Sequence, residues 1–250
     1  MKLNIYPDNQ TLSARVADEV IALIKRIPDA VFCLASGDTP RLACQLIAQR
    51  VINEGIDFGR CTFVGLDEWL GVPPDNEGSC NNFFKTLLID PLGLSPNQTF
   101  LFDALAKNPQ EECKKMDERI FNKGGIDLMV VGIGMNGHIG FNEPGISVEL
   151  YSHVADLADS TITVGQKYFS SPTDLKLGIT LGLKHLMESK RVILMANGMK
   201  KARVIADAVG GQVSNEFPAT IIQRHQNAEV AIDVEASSEL NLKLAQSQNQ

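Results

Sequence analysis

The stretch Asp127-Leu-Met-Val-Val-Gly-Ile-Gly-Met-Asn-Gly-His-Ile-Gly-Phe-Asn-Glu-Pro144 decides how the rest of the chain is read. An apolar strand runs into a glycine-rich turn, and the turn delivers Asn136, His138 and Glu143 within eight residues. A histidine and a carboxylate presented together at a strand end have the makings of an acid/base site. The same residues spell Gly132-x-Gly134-x-x-Gly137, the form of a dinucleotide fingerprint. A true dinucleotide turn continues into a long helix, whereas Asn142-Glu143-Pro144-Gly145 follows almost at once and would break one. It also normally sits in the first βα unit, and this one lies mid-chain. An acid about 20 residues on does exist, Asp156 or Asp159, so both alternatives remain, with the acid/base site preferred.

Outward from this stretch, short apolar runs alternate with helical segments. Asp8 can cap a helix whose apolar positions Leu12, Val16, Val20, Leu23, Ile24 and Ile27 fall on one face. Ala30 to Ala35 reads as a strand, Pro40 to Val51 as a helix, and Cys61 to Leu66 as the next strand. Residues 80–90 and 109–122 read as helical, Asp127 to Gly132 as a third strand and Leu175 to Thr180 as another. Arg191 to Ala196 is a strand before a helix from Met199 to Val209. Glu229 to Asp233 is the last strand, before a helical tail whose polar end, Gln246 to Gln250, is expected to fray. Nearly all these runs are apolar rather than alternating, which suits parallel strands covered by helices on both faces. The expectation is one α/β domain over residues 1–250, doubly wound on a single, mostly parallel sheet.

Composition narrows the function. A net charge of −7 carries neither the basic footprint of a nucleic-acid binder nor a polybasic membrane patch. No apolar run reaches the roughly 20 residues of a membrane span, and Met1 to Pro7 has no apolar signal region. Cys33, Cys44, Cys61, Cys80 and Cys113 are odd in number and without a CxxC pair, which fits idle thiols in a reducing cytoplasm. His153, His185 and His225 show no metal-ligand spacing, and no Gly-x-Ser-x-Gly elbow occurs.

Ligands of open α/β sheets bind beyond the carboxyl ends of the strands, and four such ends carry polar chemistry. Ser36-Gly37-Asp38-Thr39 is a small-residue turn at a helix N-terminus, suited to a phosphate or simply a capped turn with Pro40 in the first helical position. Asp67 and Glu68 leave a strand side by side, so their side chains diverge: one can enter the crevice while the other faces solvent or caps the next segment. The third end is the His138 turn. At the fourth, Lys201 sits in a first helical turn, against the macrodipole unless an anion is near; a plain surface lysine is the alternative.

Together these stretches resemble the glucosamine-6-phosphate deaminase/isomerase family, over nearly the whole chain and in the same order. The resemblance implies a modified Rossmann-like three-layer sandwich and no metal or organic cofactor. It implies Asp67 as the base moving a proton between C2 and C1, and His138 as the group opening the pyranose ring. Asn136 and Glu143 would orient that histidine, with Glu68 and Gly137 also at the substrate. Ser36, Gly37, Asp38 and Thr39 would form the phosphate loop, with Lys201 and Lys167 as its cations. The partner implied is a small amino-sugar phosphate, with the oligomeric state open. Many members have Asp where this chain has Asn136, and arginine where it has Lys167, which keeps the charge but loses the bidentate fork. The basic residues with which allosteric members hold an effector are missing from Ile146 to Ala155, so that control is not expected. Leu66-Asp-Glu-Trp69, Gly78-Ser-Cys80, Lys123 to Asp127 and Gly178 to Leu183 resemble the galactosamine-6-phosphate branch more than the glucosamine one. Three competing expectations are a 6-phosphogluconolactonase, which lacks the Phe-Asn-Glu-Pro continuation, a non-catalytic sugar-phosphate sensor, and a dehydrogenase. A sensor of the transcription-regulator type would need a helix-turn-helix, for which there is no room before the first strand.

Overall fold

The structure, a computed structural model, describes residues 1–240. Seven parallel strands form the central sheet: β1 (Lys2–Tyr6), β2 (Val31–Leu34), β3 (Thr62–Gly65), β5 (Thr99–Phe100), β6 (Leu128–Val131), β9 (Val192–Ala196) and β10 (Ala228–Asp233). Their order is β1-β10-β9-β6-β2-β3-β5. From β2 the chain steps to one side through β3 and β5, then returns to β6 and steps to the other. The boundary between β2 and β6 is therefore the switch point at which a crevice opens.

Alternation along the strands feeds two cores. Phe32, Leu34, Phe63, Leu128 and Val130 pack with Leu12, Val16, Val20 and Ile24 of α1 (Asn9–Arg26) and Ile47 of α2 (Asp38–Glu54). Val31, Cys33, Val64, Met129, Val131 and Leu194 face the other way. They meet Met116 and Ile120 of α5 (Pro109–Asn122) and Val204 and Ile205 of α6 (Ala202–Gly210). Helices thus cover both faces, and the three-layer α/β expectation holds. Asp8 caps α1 as expected, accepting from the Thr11 N–H at 2.7 Å. All five cysteines are buried and free, and no described helix is long and apolar enough to cross a membrane.

Four expectations change. The first strand is β1, hydrogen-bonded to β10 at the sheet edge rather than starting at Ala30; its mixed Lys-Leu-Asn-Ile-Tyr sequence lacks the continuous apolar signal of a central strand. Leu175 to Thr180 does not join the parallel sheet. Its strand β8 (Leu177–Thr180) lies in a separate antiparallel sheet between β4 (Asp67–Trp69) and β7 (His153–Asp156). The 80–90 helix is α3 (Cys80–Phe84), a π-helical turn over Lys85–Ile89, and α4 (Asp90–Leu92), closed by Gly93 at φ 60°. After β10, residues 234–239 form turns; the frayed end expected at 246–250 lies outside the described residues.

Candidate active site

A cleft of about 390 Å³ opens at the carboxyl ends of β3, β2, β6 and β9 and is lined from all four predicted strand ends. Its histidine wall is built by a tight turn in which the Gly134 N–H donates to His138 O at 2.9 Å and the Gly137 N–H to Gly134 O at 3.1 Å. The His138 ring lies over Gly134, where an added Cβ would sit 2.2 Å from Nε2. Gly137 has a φ of 84° and backs onto Phe217, away from the cleft. The glycine spacing therefore serves a histidine. Residues 139–145 form a bridged turn and no helix follows β6, so the dinucleotide alternative loses its structural context.

Behind His138 stands a hydrogen-bonded set. His138 Nδ1 is 3.1 Å from Thr161 Oγ1 and 3.4 Å from Glu143 Oε2. Asn136 Nδ2 donates to Glu143 Oε2 at 2.7 Å, while Asn136 Oδ1 accepts from the His138 N–H at 3.2 Å. The Ala158 N–H adds a bond to Glu143 Oε1 at 3.3 Å. Burial opposes ionisation of Glu143, but the bond and charge of His138, with Thr161 and Asn136, hold its pKa at about 2. A carboxylate held ionised against one imidazole nitrogen fixes the orientation of the ring. Asn136 and Glu143 themselves do not line the cleft.

Asp67 does line it, from the start of β4. Its Oδ1 is buried with no hydrogen-bond partner among the described residues. Burial, then the charge of Glu68, push its pKa up to about 7, with the Cys80 thiol pulling the other way. A carboxyl group poised near neutrality can take up and return a proton.

Glu68, expected at the substrate, takes the opposite direction. It is 0% exposed, and its Oε1 accepts from the N–H groups of Trp69 (2.8 Å) and Cys80 (3.0 Å). Oε2 accepts from Ser79 Oγ (2.6 Å) and the Asn81 N–H (2.7 Å). Successive residues of a strand face opposite ways, so the first acid enters the crevice and the second anchors the start of α3. Gly137 is the other expected substrate residue that lies off the cleft.

The far end of the cleft is cationic. Ser36 to Thr39 line it, with α2 beginning at Asp38 rather than Pro40 and Gly37 at φ 110°. Lys201 Nζ donates to Ile133 O at 2.6 Å. Burial first, then repulsion from Lys167, bring its pKa down to about 8. Lys167 pairs with Asp38 at 2.5 Å. A loop at a helix N-terminus facing crowded ammonium groups suits an anion. Sequence reasoning missed Arg41, Thr161 and Tyr168, all of which line the cleft, as does Cys80, which it had noted only as a branch residue. Arg41, a cation in a first helical turn, carried the signal used for Lys201; the others are placed only by tertiary contacts. Among the described residues no group of three or more His, Cys, Asp or Glu side chains could hold a metal.

The sequence profile of the glucosamine-6-phosphate isomerases/6-phosphogluconolactonases matches residues 7–232. The chain is 38% identical over 240 residues to a glucosamine-6-phosphate deaminase of Clostridium perfringens, covering 95% of this chain and 98% of that one. It is 35% identical over 244 residues to one of Clostridium botulinum, covering 97% and 100%. A monomeric glucosamine-6-phosphate deaminase of known structure superposes with a TM-score of 0.92 at 32% identity, over 95% of this chain and 99% of that one. The 6-phosphogluconolactonase of Trypanosoma brucei shares the fold, with a TM-score of 0.76 at 18% identity over 96% and 98%. The chain belongs to the glucosamine-6-phosphate isomerase/6-phosphogluconolactonase family.

Proposed function

We propose that this protein is an isomerising deaminase that converts a 2-amino-2-deoxyhexose 6-phosphate to the ketose 6-phosphate and ammonia. The observation that carries it is the pairing, in one cleft, of an Asp67 whose buried Oδ1 has no hydrogen-bond partner among the described residues with a His138 backed by an ionised Glu143. Relatives named glucosamine-6-phosphate deaminase over nearly the full chain support the same reading.

In this mechanism Ser36, Gly37, Thr39, Lys201 and Lys167 hold the phosphate, with Asp38 releasing Lys167 to it. Remote binding energy then orients the sugar. His138 takes the proton of the anomeric hydroxyl and delivers one to the ring oxygen as the C1–ring oxygen bond breaks and the pyranose opens, steadied by Glu143 and Asn136. Asp67 removes the C2 proton and returns it at C1, leaving a ketimine at C2. Water adds to that ketimine and ammonia departs. No step requires a metal or organic cofactor.

Glucosamine 6-phosphate is the substrate to which the relatives' names point. Galactosamine 6-phosphate is a second reading, favoured by Trp69 and Cys80, branch residues that line the cleft. The sugars differ at C4, where one hydrogen bond gained or lost sets the preference.

The test is ammonia release from both epimers in parallel, with the ketose identified and 6-phosphogluconolactone hydrolysis assayed beside them. Fructose 6-phosphate or tagatose 6-phosphate in step with ammonia supports the proposal, the faster product naming the epimer. Glu143→Gln should then cripple turnover. Lactone hydrolysis without ammonia from either sugar would replace the deaminase with a lactonase.

A further inference from the structure

Thr161 is only 4% exposed, yet it lines the cleft. It stands in the first turn of the short helix Asp159–Gly165, where its N–H donates to Ala158 O at 2.9 Å. The Ala158 N–H in turn donates to Glu143 Oε1 at 3.3 Å. The same turn therefore clamps Glu143 and presents the Thr161 hydroxyl. His138 Nδ1 faces both groups, 3.1 Å from Thr161 Oγ1 and 3.4 Å from Glu143 Oε2.

These two distances rank the partners. Protein N–H···O bonds run from about 2.7 to 3.2 Å, and those to carboxylates are the shorter ones. The hydroxyl lies within that range and the carboxylate outside it, although the carboxylate is the stronger acceptor. Glu143 Oε2 is also taken by Asn136 Nδ2 at 2.7 Å. The proton of the neutral ring belongs on Nδ1, because a carboxylate offers no hydrogen and a bare Nδ1 would set its lone pair against Oε2.

Resting on the deaminase reading, we propose that Thr161 is a positioning residue for His138: its hydroxyl accepts the Nδ1 hydrogen, holds the ring off Glu143, and keeps a bare Nε2 over Gly134 at the cleft. Glu143 aims the ring, and Thr161 fixes how far it leans. A bare Nε2 is what ring opening needs, since that nitrogen takes the anomeric proton. A threonine that merely filled space would leave the ring in place when a methyl group replaced its hydroxyl.

Thr161→Val makes that exchange at nearly equal volume. Glu143 Oε2 is then the acceptor left to Nδ1, and closing from 3.4 Å to a charge-assisted distance of about 2.8 Å moves the ring by about half an ångström. A misplacement of about 1 Å costs about 100-fold, so kcat for ammonia release should fall about tenfold. KM for the sugar phosphate should change little, because the phosphate loop is untouched. Thr161→Ser keeps the hydroxyl and should restore kcat.

The ring is followed directly in the same proteins by ¹H–¹⁵N correlation of ¹⁵N-histidine, with His138→Gln identifying its resonances among the four histidines. The neutral parent ring should be protonated on Nδ1. In Thr161→Val that proton should move downfield as a carboxylate replaces a hydroxyl as its partner, and Thr161→Ser should return it. A proton that moves in Thr161→Val while the parent releases no ammonia from either sugar keeps the positioning role and sinks the functional reading. Ammonia release with either the proton or kcat unmoved in Thr161→Val overturns the positioning role alone. Lost kcat that Thr161→Ser fails to restore also overturns it, as a packing defect would produce. Should Thr161→Val not fold, Thr161→Ala takes its place with the same expectations. A parent ring protonated on Nε2 alone overturns the proposal without any variant.

Discussion

At the scale of single residues, the site holds two carboxyl groups in opposite states, Asp67 lining the cleft and Glu143 behind His138. Glu143 stays ionised down to about 2, so the stability it contributes is present above the ordinary carboxylate range and is lost as pH falls through about 2. Asp67 is raised from its ordinary value to about 7. In that window the folded protein binds a proton that the unfolded chain has released, so stability falls as pH rises through it. Two consequences follow for Asp67→Asn. C2-proton exchange should be lost, while the fold should gain about 4 kcal/mol at about pH 8 and far less at about pH 4. Paired denaturant titrations at the two pH values check the sign; equal stability of parent and variant at high pH would show that the buried carboxylate carries no cost.

At the scale of elements, two short pieces place the chemistry. The start of α3 is organised by Glu68, whose oxygens take four donors while Ser79 also caps the helix. Glu68→Gln exchanges an acceptor for an amide donor facing those groups and should cost about 2 kcal/mol. Because the charge of Glu68 helps raise Asp67, the acid limb of exchange should also move down. A limb that moved up would reverse the sign assigned to that charge. The second piece is the glycine turn after β6. Gly134→Ala places a Cβ 2.2 Å from His138 Nε2, so the ring must swing away. Turnover should fall about 100-fold, as expected for a misplacement of about 1 Å, with sugar-phosphate affinity little changed. Retained turnover would show that the ring accommodates the methyl group.

At the scale of the whole molecule, the fold brings four chain segments to one crevice. Adjacent parallel strands β3, β2, β6 and β9 end side by side, so Asp67, the 36–39 loop, His138 and Lys201 share a wall although they are far apart in sequence. A ligand bound only by the assembled crevice stabilises the fold by mass action. Inorganic phosphate at about 100 times its dissociation constant should add about 2.7 kcal/mol to the parent's stability, seen as a rise in melting temperature. Lys201→Ala should remove most of that rise. The effect should also weaken above about 8, where free Lys201 loses its charge. The same rise in parent and variant would return Lys201 to a surface role.

Much of this was legible in the residues themselves. Continuous apolar runs marked β2, β3, β6, β9 and β10 because strands buried on both faces have no polar side to show. The His138 turn, the small-residue loop and Lys201 were legible because each pairs a strand end with polar chemistry a few residues on. Even the divergence of Asp67 and Glu68 follows from strand geometry, though not which of the two enters the cleft. Contacts distant in sequence decided the rest. The three-residue strand β4 exists only because β8 pairs with it, and β1 only because it adds to β10. Glu68 became an anchor because the α3 N-terminus folds onto it, and Asp67 became a group near neutrality because it is buried beside the Glu68 charge. Local sequence specifies backbone preference and burial pattern. Proton affinity depends on solvent access and neighbouring charge, and these are settled only when segments far apart in the chain come to rest against one another.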